Sequence, residues 1–577
     1  MDVLEKIVDF LNANVVEAGI PAGEETIPYM VILLIGVGLL LTVRTGFVQI
    51  RHLGHGFAVA TGRYDDPDEP GDVTHFQALT TALSATVGIG NIAGVAIAIH
   101  WGGPGAIFWM WVTAAVGMAT KFSEVTLAQR YRETVSADDP TAAQGSVSGG
   151  PMYYIEKGLG RKWKPMAVFF AVLLMFTSFL TGNAVQANTV ADTVNTSFGV
   201  TPWITGLLSS LVVGAVILGG ITRIGRVTSI LAPAMAAVYV FGALVIIFMN
   251  AGQIVPAFGL ILTEAFNPSA GIAGTGVGVF LVTLMWGVRR GLFSNEAGQG
   301  SAPIAHAAAK TDEPVSEGVV ALLEPFIDTI VICTMTALVI IMTGVWNERI
   351  PTEITLSGGD LSWVEAEESG RYRGVAAPGQ LQIVDGVQDI DAFGTPLIAW
   401  HEVAVERLYT DPEQSTPFNG TIDVGSGVAT DVNGQTYTSL HGNAVESGAP
   451  LTLLGFQRGL PGSFGGFIVV LSVMLFAVST AISWSYYGDR CAYYLFGASA
   501  VFPFKAVFVA MHFFGAIVPL AVVWSLGDIA LAIVIIPNLI ALLFLSGQVR
   551  EMSRSYFERR PWETQPGAMK KASTPRE

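Results

Sequence analysis

Charge is what this chain has least of. Only 13% of its 577 residues are Asp, Glu, Lys or Arg, against about 25% in a soluble globular protein, which excludes an ordinary water-soluble domain. Basic residues are the scarcer sign: 30 Lys and Arg stand against 46 Asp and Glu, leaving a formal net charge of −16 and excluding a nucleic-acid partner. Of two cysteines, Cys333 sits in an apolar run and Cys491 follows Asp489-Arg490. That is too few for a disulfide framework or a metal cluster. The stretch from Met1 to Glu25 is acidic and lacks the basic start of a cleavable signal peptide. A Gly-x-x-x-x-Gly-Lys-Ser/Thr loop is missing, so direct ATP drive is unsupported. Nothing reads as a nucleophile–base pair, and His52 and His55 are expected at the surface rather than on a metal. The chain is therefore not expected to be an enzyme or to hold an organic cofactor.

Apolar residues, by contrast, make up 51% of the chain, with 65 glycines among them or between them. Eleven stretches are long enough to cross a bilayer of about 30 Å: 27–43, 76–100, 104–129, 165–187, 203–220, 227–250, 270–308, 318–345, 463–488, 501–524 and 527–547. The stretch 270–308 is too long for one span, since as continuous helix it would measure about 58 Å. A broken helix is expected there.

Loop charges give the orientation. Arg44, Arg51 and Arg63 follow the first stretch, Arg130 to Lys164 the third, Arg223 and Arg226 the fifth, and Arg289, Arg290 and Lys310 mark the inner part of 270–308. The loops 188–202 and 251–269 hold no Lys or Arg. The N-terminus is expected outside and the C-terminus in the cytoplasm of a cell-membrane protein. The connection 346–462 falls outside by the same parity. Between 346 and 460 it carries 16 Asp and Glu and 5 Arg, net −11. Its Thr/Val/Gly-rich runs with Asn419-Gly420 and Asn433-Gly434 pairs predict a small β-rich extracellular insertion.

The stretches after the first form two blocks of five. Five is odd, so the second block enters the membrane from the opposite side and the halves are inverted. Each block opens on its most glycine-interrupted member: Thr86-Val87-Gly88-Ile89-Gly90-Asn91 in one, and Gly271 to Gly300 in the other. Interrupted helices at matching places in inverted halves point to a transporter's substrate site. Glycine at mid-membrane lets the backbone unwind, and the freed N–H and C=O groups must face protein or water. Freed N–H groups attract a carboxylate and freed carbonyls a cation or ammonium. That combination suits a zwitterionic amino acid with Na+.

Two stripes add candidate walls. Phe179, Asn183 and Gln186 share one helical face, as do Phe476, Ser479, Thr480, Ser483 and Trp484. Uncharged hydroxyl and amide oxygens at this spacing favour Na+ over a transition metal. Lys121 and Glu124 are expected as a structural ion pair, and Glu324, Asp328 and Glu296 as structural or gating partners of Arg289 and Arg290, with a proton site as the other reading.

Long motifs then carry a resemblance. Gly88-Ile89-Gly90-Asn91-Ile92-Ala93-Gly94-Val95-Ala96, Gly102-Gly103-Pro104-Gly105-Ala106-Ile107-Phe108-Trp109-Met110-Trp111, Gly149-Gly150-Pro151-Met152-Tyr153-Tyr154-Ile155 and Arg290-Gly291-Leu292-Phe293-Ser294-Asn295-Glu296-Ala297-Gly298 closely resemble the alanine or glycine:cation symporter family. The resemblance covers most of 27–345 and 463–547. It implies an all-α polytopic membrane protein with a LeuT-like fold of two inverted five-helix repeats and one extra N-terminal helix. It implies, too, uptake of alanine or glycine with Na+. Carried onto this sequence, it places Val87, Gly88, Gly90 and Asn91 at the substrate carboxylate. Phe179, Asn183 and Gln186 with Thr480 and Trp484 would close around the amino acid. Met285-Trp286-Gly287 would be the second unwound segment, with Ser294-Asn295-Glu296-Ala297-Gly298 as the competing place for that break. Sodium would sit on backbone oxygens of Ser84, Val87 and Phe476 and on the hydroxyls of Ser479 and Thr480. Walls of Trp484 and Phe179 would favour alanine, glycine or serine.

The expected organisation is an extracellular segment (1–26), an extra span and cytoplasmic loop (27–75), a first repeat (76–250), the start of a second (251–345), the acidic insertion (346–462), the rest of that repeat (463–547) and a cytoplasmic tail (548–577). The expected function is Na+-coupled uptake of a small neutral amino acid by alternating access, in contact with membrane lipid. Proton coupling and a ligand-binding sensor or channel are the alternatives.

Overall fold

The computed structural model describes residues 18–22, 25–134, 147–267, 280–356, 361–366, 372–387, 396–401, 403–518 and 520–563. Helix α1 (Tyr29–Arg44) starts directly after Pro28, which has no N–H to leave unpaired at a helix start. Helix α2 (His75–Thr86) is opened by a capping box: the Thr74 hydroxyl accepts from the Gln77 N–H at 3.2 Å, and the Gln77 side chain accepts from the Thr74 N–H at 3.1 Å. Winding is lost at Val87-Gly88 and resumes through a π-helical stretch, Gly90–Gly94, into α3 (Val95–Gly102). The two halves meet at a bend of 54°.

Next comes α4 (Ala106–Tyr131), with Lys121 and Glu124 wholly buried. After a second π-helical stretch, Tyr154–Gly158, helix α5 (Lys164–Phe179) runs through a third, Leu180–Ala184, into α6 (Val185–Phe198), and α7 (Pro202–Ile217) and α8 (Gly220–Met249) follow. The connection 251–269, expected as a loop, contains α9 (Ile254–Phe266), which buries Ala257, Ile261, Glu264 and Ala265 and exposes Val255, Leu262 and Phe266. It is an amphipathic helix, and the missing Lys and Arg hid it. Helix α10 (Phe280–Asn295) stops short and a single turn, α11 (Ala302–His306), continues the path. The glycines at 271, 274, 276 and 278 lie outside the described residues.

Helix α12 (Pro314–Ala321) continues through a fourth π-helical stretch, Phe326–Cys333, into α13 (Thr334–Met342). After the inserted strands come α14 (Gly448–Gly459), α15 (Phe464–Phe496), α16 (Val501–Gly515) and α17 (Leu520–Arg559). A helix thus stands at each of the eleven expected places. Among the described residues six helical segments are long and apolar enough to cross a membrane, and the bent pair α2–α3 makes a seventh. Helices α1 and α7 are shorter apolar ones.

The insertion is built of short antiparallel strands. Ile350–Thr355 pairs with Ser439–Ala444, placing Ile350 opposite Ala444, and Leu408–Tyr409 adds to the same sheet. Two four-stranded sheets cover a small core that includes Ile354, Ile398, Leu408, Phe418, Ile422 and Leu440. Of the two expected turns, Asn433-Gly434 is one: Gly434 has φ 82° and its N–H reaches the Asp431 carbonyl at 3.0 Å. Asn419-Gly420 is not, because Gly420 begins the strand Gly420–Asp423 and pairs with Asp431. The boundary at 462 also moves. Residues 448–459 are helical and belong to the bundle, with Gly455 against Val339 and Gly459 against Ile246.

Candidate functional site

The first helix break is held open by side chains. The Asn91 side chain accepts from the Gly88 N–H at 2.9 Å. The carbonyls of Asn91 and Ile92 accept from the Thr336 and Thr452 hydroxyls, each at 2.8 Å. Backbone groups that a continuous helix would have paired are satisfied here from α13 and α14. Ile89 and Gly90 begin the resumed winding, and the first N–H groups of a helix have no partner within it.

The second break lies at 296–301, the competing place, and not at Met285-Trp286-Gly287. Glu296, Gly298 and Gly300 take φ of 54°, 91° and 77°, while α10 runs unbroken through residues 285–287. Gly287 serves close packing: a Cβ there would lie 2.4 Å from the Ala106 carbonyl. Trp286 stacks on Trp101 at 5.7 Å. Helix-period counting could not separate a packing glycine from an unwinding one.

A small, partly open cavity lies between the two breaks. The first break gives it Ala85, Thr86, Gly88, Ile89 and Gly90, and the second gives Phe293, Glu296 and Gln299. Thr181 and Gln186 line it from the α5–α6 path, Thr480 and Trp484 from α15, and Leu531 from α17. Gln186 Oε1, Gln299 Oε1 and Thr181 Oγ1 are buried, with no hydrogen-bond partner among the described residues. Three unpaired acceptors in one cavity are costly unless a ligand meets them. A second, larger cavity shares Phe293, Gln299 and Leu531 with the first and adds Arg289, Arg290 and the start of α1.

Gly88, Gly90, Gln186, Thr480 and Trp484 are therefore brought together, and other expected wall residues are not. Phe179 packs on Phe504 at 4.9 Å. Asn183 turns to α16, donating to the Phe508 carbonyl at 2.7 Å and contacting His512 Nδ1 at 2.6 Å. The cause is the π-helical stretch at Leu180–Ala184, whose extra residue per turn rotates the face. The Gln186 side-chain Nε2–H donates to the Thr181 carbonyl at 3.1 Å. That register shift brings Thr181 to the cavity in place of Phe179 and Asn183, and nothing in the hydrophobic pattern announces it. Asn91 also points away: its amide donates to Asp328 Oδ1 at 2.6 Å and Ser294 Oγ at 3.2 Å. Val87 is packed in the hydrophobic core, its N–H on the Leu83 carbonyl at 2.7 Å.

Beside the cavity, hard oxygens gather between α2 and α15. Thr480 Oγ1 lies 3.2 Å from the Ser84 carbonyl and 3.3 Å from that of Ala85, and Ser479 Oγ lies 3.3 Å from the Ser84 carbonyl and 2.9 Å from that of Phe476. A set of uncharged oxygens suits a hard monovalent cation. A second oxygen cluster surrounds Asp328, which accepts from Ser294 at 2.6 Å and Thr329 at 2.7 Å. No group of three His, Cys, Asp or Glu among the described residues is arranged for a metal ion.

On the side of the cavity toward the α1–α2 loop runs a chain of buried charge. Lys121 bonds Glu324 at 3.1 Å, His306 bonds Glu324 at 2.7 Å, and Glu317 bridges His306 and His75. All five side chains are 3% exposed or less. Arg132 pins the end of α4 to the neighbouring loops through the carbonyls of Pro70, Ala307, Ala309 and Thr311, at 2.6 to 2.8 Å. Lys121 thus pairs with Glu324 rather than with Glu124, which lies against Asn538.

Residues 13–361 and 418–570 match the pattern described as the sodium:alanine symporter family. The unmatched stretch, 362–417, is shorter than the insertion expected from the sequence. Sodium/alanine symporter AgcS of Methanococcus maripaludis is 40% identical over 92% of this chain and 94% of its own. The putative sodium/proton-dependent alanine carrier protein YrbD of Bacillus subtilis is 32% identical over 90% of this chain and 87% of its own. Among solved structures, MhsT in complex with L-phenylalanine matches at a TM-score of 0.44 and 10% identity, over 84% of this chain and 98% of that one. That likeness is too loose to carry a residue correspondence. On the family pattern and the long relative together, this chain belongs to the sodium:alanine symporter family, and is a Na+-coupled amino-acid transporter of many spans rather than an enzyme.

Proposed function

We propose that this chain carries a small neutral amino acid, alanine or glycine, into the cell with Na+ by alternating access. The observation that supports it most is the cavity between two helix breaks, which brings three unpaired acceptors together. The substrate carboxylate would meet the N–H groups of Ile89 and Gly90 at a helix start. Its ammonium would meet Gln186, Gln299 and Thr181. Sodium would bind among the oxygens of Ser84, Ala85, Phe476, Ser479 and Thr480. One charge moving through 100 mV is worth about 2.3 kcal/mol, or roughly fifty-fold accumulation.

In this reading the N-terminus faces out and the tail faces in, following the positive loops. The two five-helix halves form an inverted repeat of the LeuT kind, after the extra helix α1. The larger cavity, shared with the start of α1, then lies on the outer approach, and Arg289 and Arg290, expected at the inner part of 270–308, stand instead on the outer side of the second break.

A second reading, with a proton as coupling ion, draws on the Glu296 carboxylate in the cavity wall. One experiment separates them. Purified protein in liposomes should accumulate labelled alanine under an inward Na+ gradient. Sodium-free uptake driven by a pH gradient would select the second reading, and no accumulation under either would reject both.

A further inference from the structure

Trp484 is the largest side chain in the cavity wall, and its position decides how much room a substrate side chain has. It is 2% exposed and held from three directions. Its indole lies against Gly182 in the π-helical stretch between α5 and α6, where a Cβ would stand 2.5 Å from Trp484 Cγ. Tyr487, one turn on in α15, meets it edge-on at 5.5 Å. The only directional contact among these is polar: the indole Nε1–H donates to Glu296 Oε1 at 3.1 Å.

Glu296 is itself fixed. It takes a left-handed φ of 54°, rare for a residue with a side chain, in the second helix break. Its other carboxylate oxygen accepts from the Ser301 hydroxyl at the far side of that break. The carboxylate therefore ties both ends of the broken segment to one wall of the cavity. Each oxygen has a protein donor in place, so the geometry fits an anchor better than a group awaiting the substrate.

We propose that Glu296 is a positioning residue for substrate size: it holds Trp484 against the cavity, and through Trp484 it limits transport to small side chains. This rests on the amino-acid symport reading above. Removing the acceptor lets the indole swing, and a larger apolar side chain then fits.

The test is Na+-driven uptake by the full chain in liposomes, with KM and Vmax measured for alanine and for leucine. Wild type should take alanine and exclude leucine; no Na+-dependent uptake of either would fail the symport reading and leave selectivity unread. Glu296→Ala should shift the alanine-to-leucine ratio of Vmax/KM toward leucine by roughly tenfold, the discrimination a methylene or two carries in an apolar pocket, chiefly through KM. Glu296→Gln keeps an oxygen for the indole and should keep the wild-type ratio. Trp484→Phe, which lacks the donor, should reproduce the shift, and the double variant should add nothing further. An unshifted ratio in Glu296→Ala overturns the proposal. So does a Glu296→Gln protein as impaired as Glu296→Ala, since that points to the charge itself. If Glu296→Ala does not insert, Trp484→Phe with an unshifted ratio is the overturning result.

Discussion

Thr480 shows how much one hydroxyl can hold together. It lies within 3.3 Å of two carbonyls at the end of α2 and 2.8 Å from where a Cβ on Gly88 would stand. Thr480→Ala should raise the Na+ concentration for half-maximal uptake, and Thr480→Ser should recover most of it; an unchanged sodium dependence would remove Thr480 from the ion's surroundings. Asn91 works differently. Its side chain joins the Gly88 N–H to Asp328 and Ser294, so Asn91→Ala leaves buried groups unpaired at about 1–3 kcal/mol each. Loss of uptake together with a lower melting temperature in detergent is the expected result. An asparagine beside paired glycines was legible in the sequence as part of the break. That it braces the break from behind was not, because its partners, Ser294 on α10 and Asp328 in the π-helical stretch before α13, are more than two hundred residues away.

At the scale of elements, the buried chain from Lys121 to His75 ties α2, α4, α11 and α12. Lys121→Met leaves the Glu324 carboxylate in a dry interior with His306 as its remaining charged partner, and breaking such a buried pair costs up to about 3–5 kcal/mol. The variant should melt well below wild type, and the double change Lys121→Met with Glu324→Leu should regain part of the loss. The tail of α17 makes another tie, outside the spans. His55 meets Tyr556 Oη at 2.9 Å and Trp562 at 4.3 Å between ring centres. Burial, with His52 beside it, pushes the His55 imidazole down to about 4 from 6.5. A histidine with a lowered folded value stabilises its docked state above 6.5, and this contribution is lost as pH falls through about 4. Anisotropy of a fluorophore on Glu563→Cys should drop across that window, and His55→Phe should abolish the step. The helices themselves were legible from apolar length and loop charge. The four π-helical stretches were not, since one extra residue in a turn leaves composition untouched while turning the face that follows. Phe179 and Asn183 were misplaced for that reason, whereas Thr480 and Trp484, on the regular α15, fall where their spacing puts them.

At the scale of the molecule, the inserted strands join the bundle at one place in sequence. Pro351 stands opposite Asn443 in an antiparallel pair, so an Asn-Gly turn can replace 352–442 without moving α14. Uptake should survive this replacement, at a reduced level because Val403 no longer covers Trp101. Complete loss in a correctly inserted protein would make the strands part of transport. A deletion running on through 448–459 should fail, since the Thr452 hydroxyl supports the Ile92 carbonyl in the first break. Strand patterning revealed the insertion but not where it ends, because α14 is short, follows directly, and differs from a loop mainly in what it touches.

That closely spaced pair of attachment points has a further meaning. A segment whose two ends already touch can be lengthened, shortened or exchanged between lineages while the carrier beneath keeps its shape. The family pattern skips 362–417, well inside the paired ends, and resumes before α14. The stretch outside the family pattern thus hangs on a closed hairpin, a place open to replacement by a reporter or an affinity handle.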